Sequence, residues 1–272
     1  MSERGSNEAA RWGRAAALSL LAGTVGGAAV LAGQAIAART REYAQPELGL
    51  VLRATVGRAD APPLRLVLLG DSSSLGVGVD RFEETIGGQL AHLLAEGPTG
   101  RRVHLSSVGV SGSRATDLAT QVARALLGER PDVAVVLIGA NDATALSRPA
   151  DAAAYLGSAV RRLREAHVEV VVGTCPDLGA VRAVAAPLRQ VLGWSGRRMA
   201  RAQTVAVLDA GGTVVDLGTE TGPVFRADAG TLCHDGFHPS ADGYRVWAHA
   251  LLPAVEAAAT VAFRHHRRPP AG

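Results

Sequence analysis

Four short blocks of this 272-residue chain carry side chains suited to acyl transfer. In chain order they are Gly70-Asp71-Ser72, Val110-Ser111-Gly112-Ser113, Gly139-Ala140-Asn141-Asp142 and Asp235-Gly236-Phe237-His238-Pro239. A serine hydroxyl is a poor nucleophile until an imidazole takes its proton, and the imidazole needs a carboxylate to fix its tautomer and stabilise its charged form. Ser72, His238 and Asp235 are the residue types for those three roles. The tetrahedral intermediate also carries an oxyanion, which needs donors aimed at it in advance. The backbone amides of Ser72 and Gly112 and the side-chain amide of Asn141 could supply three. Each block alone has a plainer reading, because Asp and Ser favour turns and helix caps. Ser73 and Ser74 offer rival hydroxyls, and Asp71 reads as a residue that ties down its turn.

The elements that must position these side chains are legible as alternating runs. Leu64 to Leu69, Val103 to Val108, Val133 to Ile138, Val168 to Gly173 and Thr204 to Leu208 are short, rich in aliphatic residues and apolar on both faces, as buried parallel strands are. Between them, amphipathic segments predict helices at about Phe82 to Glu96, Arg114 to Leu127, Ala150 to Ala166 and Val181 to Ala202, with a last one over Ala241 to Phe263. Alternation of this kind implies right-handed crossovers and helices on both faces of a parallel sheet. Function then belongs at the carboxyl ends of the strands. Ser72, Gly112 and Asn141 follow the first three strands, and Asp235 and His238 precede the last helix.

Taken together, the four blocks resemble in sequence and order those of the SGNH hydrolases, also called GDSL esterases and lipases. The resemblance covers roughly residues 64 to 256. It implies an α/β, flavodoxin-like three-layer α/β/α domain with a five-stranded parallel sheet. It also implies Ser72 as nucleophile, His238 as base, Asp235 as its orienting acid, and Ser72, Gly112 and Asn141 as the oxyanion hole. The third block reads Gly-Ala-Asn-Asp where the family often has Gly-Gly-Asn-Asp, a change that removes no catalytic atom.

The rest of the chain bounds the setting. All 28 basic residues are Arg, and the formal net charge of +3 comes from the ends: residues 1 to 41 hold five Arg and two Glu, and residues 264 to 268 add three Arg. A basic nucleic-acid groove is therefore not expected. The segment 15 to 38 holds no charge; as a helix it would be roughly 36 Å long, enough to cross a hydrocarbon core of about 30 Å. It reads as a transmembrane anchor, with Ala35-Ile36-Ala37 raising the rival reading of a cleaved signal. The expected organisation is a short basic N-terminus over 1 to 14, the apolar segment, a linker over 39 to 63, a hydrolase domain over 64 to 263 and a disordered basic tail over 264 to 272. The catalytic domain is expected outside the cytoplasm.

Cys175 and Cys233 both fall near the expected active rim, so in an oxidising compartment they could form a disulfide pinning the Asp235 to His238 loop. His92, His104, His167, His234 and His249 show no metal-ligand spacing, and no cofactor motif is present, so neither a metal nor a cofactor is expected. The expected activity is hydrolysis of carboxylic esters through an acyl-enzyme, on a lipid, an acylated glycan or a small ester. An acyltransferase using the same site is the near rival. A non-catalytic glycan- or lipid-binding surface protein is a rival from another class.

Overall fold

A computed structural model describes residues 27–38, 40–45, 53–98 and 100–266, with side chains to residue 264. Residues 1–26 and 267–272 lie outside this set, and with them most of the expected anchor and tail. Helix α1 (Gly27–Ala38) represents the end of the apolar segment.

Six strands form one sheet: β1 (Arg53–Val56), β2 (Pro63–Gly70), β3 (Arg102–Ser107), β4 (Val133–Leu137), β5 (Glu169–Gly173) and β6 (Thr213–Val215). Their spatial order is β1-β3-β2-β4-β5-β6, and every pairing is parallel except β1 with β3. The chain order reverses beside β2, which lies between β3 and β4. In open α/β sheets, such a switch point opens a crevice at the carboxyl ends of the strands.

Side chains leave the central strands alternately to two sides, as a two-residue period requires. Leu64, Leu66, Leu68, Val133 and Val135 enter one core with α2 (Ile86–Glu96), α7 (Leu217–Ala227) and α8 (Ala241–His266). Val67, Leu69, Ala134 and Val136 enter the other with α3 (Leu118–Ala125), α5 (Pro149–Glu165) and α6 (Leu188–Asp209). The one-turn helix α4 (Ala140–Thr144) sits at the end of β4. Local chemistry sets the helix boundaries: the Thr85 hydroxyl caps α2 by accepting from Gly88 N at 3.0 Å, and α5 starts on a proline and ends with Arg162 and Arg164.

Two expectations require correction. Thr204 to Leu208 is not a strand but the last turns of α6. Leu192, Gly196, Met199, Gln203 and Val207 are buried at spacings of three and four, while Val205 and Leu208 point to solvent. The helical period outweighs the local β-branched composition, and the edge strand instead forms after the Gly211-Gly212 turn. Residues 53 to 56, expected within the linker, form β1, whose alternating partly covered pattern suits an exposed edge. The sheet thus has five parallel strands and one antiparallel addition.

Among the described residues, one helical stretch, Ala241–Arg264 in α8, has the length and hydropathy of a membrane span. Tyr244, Trp247, Leu251 and Val255 anchor it in the core, which accounts for its apolar character.

Candidate active site

β2 ends at Gly70, whose φ of +136° is available mainly to glycine. A Cβ there would lie 1.8 Å from the Leu137 carbonyl oxygen, so β2 and β4 approach closely only because this residue lacks one. The chain then enters the 3-10 turn Ser72–Leu75. The Asp71 carboxylate caps it by accepting from Ser73 N at 3.0 Å, and Gly76 closes it at φ +74°. As first residue of the turn, Ser72 has a backbone N–H with no acceptor inside it. The Ser74 hydroxyl is committed elsewhere, donating to the Asp71 carbonyl at 2.7 Å.

Ser72 Oγ lies 3.0 Å from His238 Nε2, and His238 Nδ1 lies 2.6 Å from Asp235 Oδ2. All three residues are buried. Asp235 also accepts from the amides of Phe237 and His238 through Oδ1, at 2.7 and 2.9 Å. A third amide, Ala44 N, donates to its Oδ2 from 3.0 Å. Burial alone would raise the Asp235 carboxyl, but the bonds from His238 and these amides together hold it well below the usual carboxylate range. It is therefore an anion at neutral pH, and Nδ1 is a donor to it. That leaves Nε2 free to accept the Ser72 proton.

The other predicted residues flank this line. Gly112 adopts φ +80° after β3, and a Cβ there would meet nothing within 4 Å, so its backbone rather than any crowding calls for glycine. Asn141 begins near the end of β4, and its side-chain amide donates to the Ser113 carbonyl at 3.0 Å, which links it to the Gly112 loop. Asp142 reinforces that link by accepting from Ala115 N at 3.0 Å. A cavity of about 40 Å³ opens beside Ser72, Asn141 and His238, with Leu178, Val181 and Phe237 among its apolar walls.

Two buried glutamines that sequence reading passed over brace this rim. Gln121 accepts from Gly70 N at 2.7 Å and donates to the Gly70 carbonyl and the Ser113 hydroxyl at 2.9 and 3.1 Å. Gln203 donates to the Ile138 carbonyl at 2.8 Å and accepts from Cys175 N at 2.7 Å, tying the ends of β4 and β5. The helical period of α6 points Gln203 inward, a signal hidden by reading the next residues as a strand.

Asp71 is fully buried, and desolvation pushes its carboxyl up to about 6 despite the Ser73 bonds and the charge interaction with His238. The expected disulfide is not formed: Cys175 and Cys233 are both free thiols. Cys175 packs with Leu178, Val181 and Met199, while the Cys233 sulfur lies toward Gly78. Burial raises both thiols, Cys233 to about 11. His234 is exposed next to Asp235, His92 lies near Glu96 on α2, and His104 bonds Thr55 across the β1–β3 pair.

The comparisons agree with this geometry at the level of family. Residues 68–246 match the GDSL-like lipase/acylhydrolase family model. A GDSL-like esterase of Mycobacterium tuberculosis is 43% identical over 199 residues, which are 72% of this chain and 63% of that protein. The chain thus spans less than two thirds of that relative. Among solved structures, a member of the lipolytic G-D-S-L family from Veillonella parvula shares the fold with a TM-score of 0.57, at 16% identity over 71% of this chain and 98% of the other. An acetylxylan esterase from Geobacillus stearothermophilus does so with a TM-score of 0.53, at 20% identity over 72% and 95%. A chain with three of these blocks at the strand ends and the fourth before the last helix, this sheet order and a family match across residues 68–246 belongs to the GDSL-like lipase/acylhydrolase family, the SGNH hydrolases.

Proposed function

We propose that the protein hydrolyses carboxylic esters through an acyl-enzyme on Ser72. The observation that carries this reading is the unbroken line from Ser72 Oγ through His238 to a carboxylate that three amides also bond. His238 takes the hydroxyl proton as Ser72 attacks the acyl carbon, then gives it to the departing alcohol. Water, activated by the same imidazole, releases the acid. The amides of Ser72 and Gly112 and the side chain of Asn141 act as oxyanion donors, with Asn141 oriented through Ser113.

The small cavity beside Ser72 has room for about three water-sized groups, which favours esters of short acids. Membrane anchoring through residues 15 to 38, with the catalytic domain outside the cytoplasm, completes the reading; α1 as the end of that segment supports it.

A panel of p-nitrophenyl esters from acetate to palmitate tests the reaction. We expect hydrolysis fastest with the shortest acyl groups, and Ser72→Ala to abolish it, a loss of at least about 10⁴-fold, with the melting temperature unchanged. No turnover of any ester by the wild type would favour a binding protein. Partition of the acyl group to added alcohol in preference to water would favour a transferase. A fusion at the C-terminus to a reporter active only after export tests the placement, and an inactive fusion would refute it.

A further inference from the structure

The segment between α1 and β1, expected as a linker, is docked in its first part. Gln34, on α1, grips residues 186 to 188, donating to the Ala186 carbonyl at 2.6 Å and accepting from Leu188 N at 3.0 Å. The Arg41 guanidinium donates to the Ala183 carbonyl at 3.2 Å. Tyr43 then lays its ring edge-on to Phe237, with centroids 5.5 Å apart, and to His238 at 6.5 Å. Ala44 N ends the run at Asp235 Oδ2. Residues 182 and 183 hold the other side of the same loop, their amides donating to the Gly236 carbonyl at 2.7 and 2.9 Å.

We propose that residues 40–45 are a positioning strap for the acid–base pair, with the Ala44 amide as the donor that sets the Asp235 carboxylate toward His238. The inference rests on the hydrolase reading above. Its content is that a segment outside the residues matched by the family model completes the support of Asp235. The Ala44 amide meets the same carboxylate oxygen that accepts from His238 Nδ1, so it withdraws charge from that oxygen and fixes its direction. The ring of Tyr43 stands edge-on to both Phe237 and the imidazole and so steadies their side of the loop. Gln34 carries the same alignment to α1, so the orientation of the apolar helix bears on the catalytic loop through a short, contiguous set of contacts.

Removing the amide leaves Asp235 Oδ2 more negative and strengthens its attraction for the positive charge that develops on the ring during catalysis, so the acid limb of the rate profile should move to higher pH. Other ionisable groups around the imidazole are Asp71 on the β2 loop, Tyr43 on the strap and Asp177, which lines the same cavity and is paired with Arg226. Asp71 and Asp177 lie away from the altered bond, and the contribution of Tyr43, which adjoins Ala44, is separated by Tyr43→Ala.

The test uses the full chain with p-nitrophenyl acetate from pH 5 to 9. Ala44→Pro deletes the donor; Tyr43→Ala and Gln34→Ala keep it but loosen the strap. Expected for Ala44→Pro is a fall in kcat on the order of tenfold, with KM within about twofold and the acid limb moved to higher pH. Tyr43→Ala and then Gln34→Ala should follow in the same direction with smaller losses. They keep the test decisive if Ala44→Pro does not fold. Folded variants with the kcat and acid limb of the wild type would overturn the strap while leaving the hydrolase reading intact. A wild type inactive on every ester would instead remove the reading on which the strap depends.

Discussion

The two sides of the candidate cleft are built differently. The serine side hangs on the sheet: Ser72 leaves β2 through Gly70, and Gln121 and Gln203, each 1% exposed, clamp the ends of β2, β4 and β5 by their carbonyls and amides. The aspartate–histidine side hangs on loops. Asp235 and His238 are steadied by their own turn, by residues 182 and 183, and by the strap from α1. Buried amide braces in a low-dielectric interior are strong when satisfied and costly to break, whereas loop contacts can be lost one at a time. Substitutions on the first side should therefore lower stability and activity together. On the second side, activity should move with less change in stability.

The largest effect that sharpens this contrast is expected from Asp235→Asn, which keeps the shape and removes the charge. Steady-state kinetics should show kcat lower by about 10³- to 10⁴-fold. Because the folded-state carboxyl is held low, its contribution to stability is present above about pH 4 and disappears as pH falls toward the folded value. Denaturation of the two proteins should accordingly converge in acid, and an equal gap at pH 7 and pH 3 would contradict the assignment.

Next in size is Gln203→Leu, which strands the Ile138 carbonyl and the Cys175 amide in the interior. A loss of about 2 to 5 kcal/mol in urea denaturation is expected, with kcat down at least several-fold. Full stability in this variant would break the contrast, since the serine side would then not depend on its braces.

Asp71→Asn should have a smaller effect on rate and a clear one on pH dependence. A carboxyl raised to about 6 binds its proton more tightly when folded, so the wild type loses stability as pH rises from about 4 to 6, by at most about 3 kcal/mol. The variant should lack that decline, and melting curves across this range will show whether it does. Smallest of all is the response to reductant: with Cys175 and Cys233 both free, dithiothreitol should leave activity and melting temperature unchanged. A marked loss would mean that the thiols pair in solution.

Much of the fold was legible because burial on both faces writes continuous apolar runs, and the four parallel strands from β2 to β5 fall where those runs lie. Thr204 to Leu208 misled because five residues do not separate a strand from a helix end, and the period that decides it begins at Leu192. The short edge strand β1 escaped notice because an exposed edge has little apolar pattern to display.

The candidate site divides along the same line. Residue types and their order, three after strands and two before the last helix, named Ser72, Gly112, Asn141, Asp235 and His238, because acyl transfer requires a nucleophile, a base, an acid and donors whose chemistry is local to each residue. Which of three adjacent serines meets the imidazole depended on the turn, where Ser74 bonds backward to Asp71 and Ser72 faces His238. The supports were still less legible: Gln121 lies 51 residues from Gly70, and Ala44 lies 191 from Asp235. A glutamine or a backbone amide has no distinctive chemistry until folding brings it within hydrogen-bond distance of a buried partner, and distances across such separations are set by packing rather than by sequence pattern.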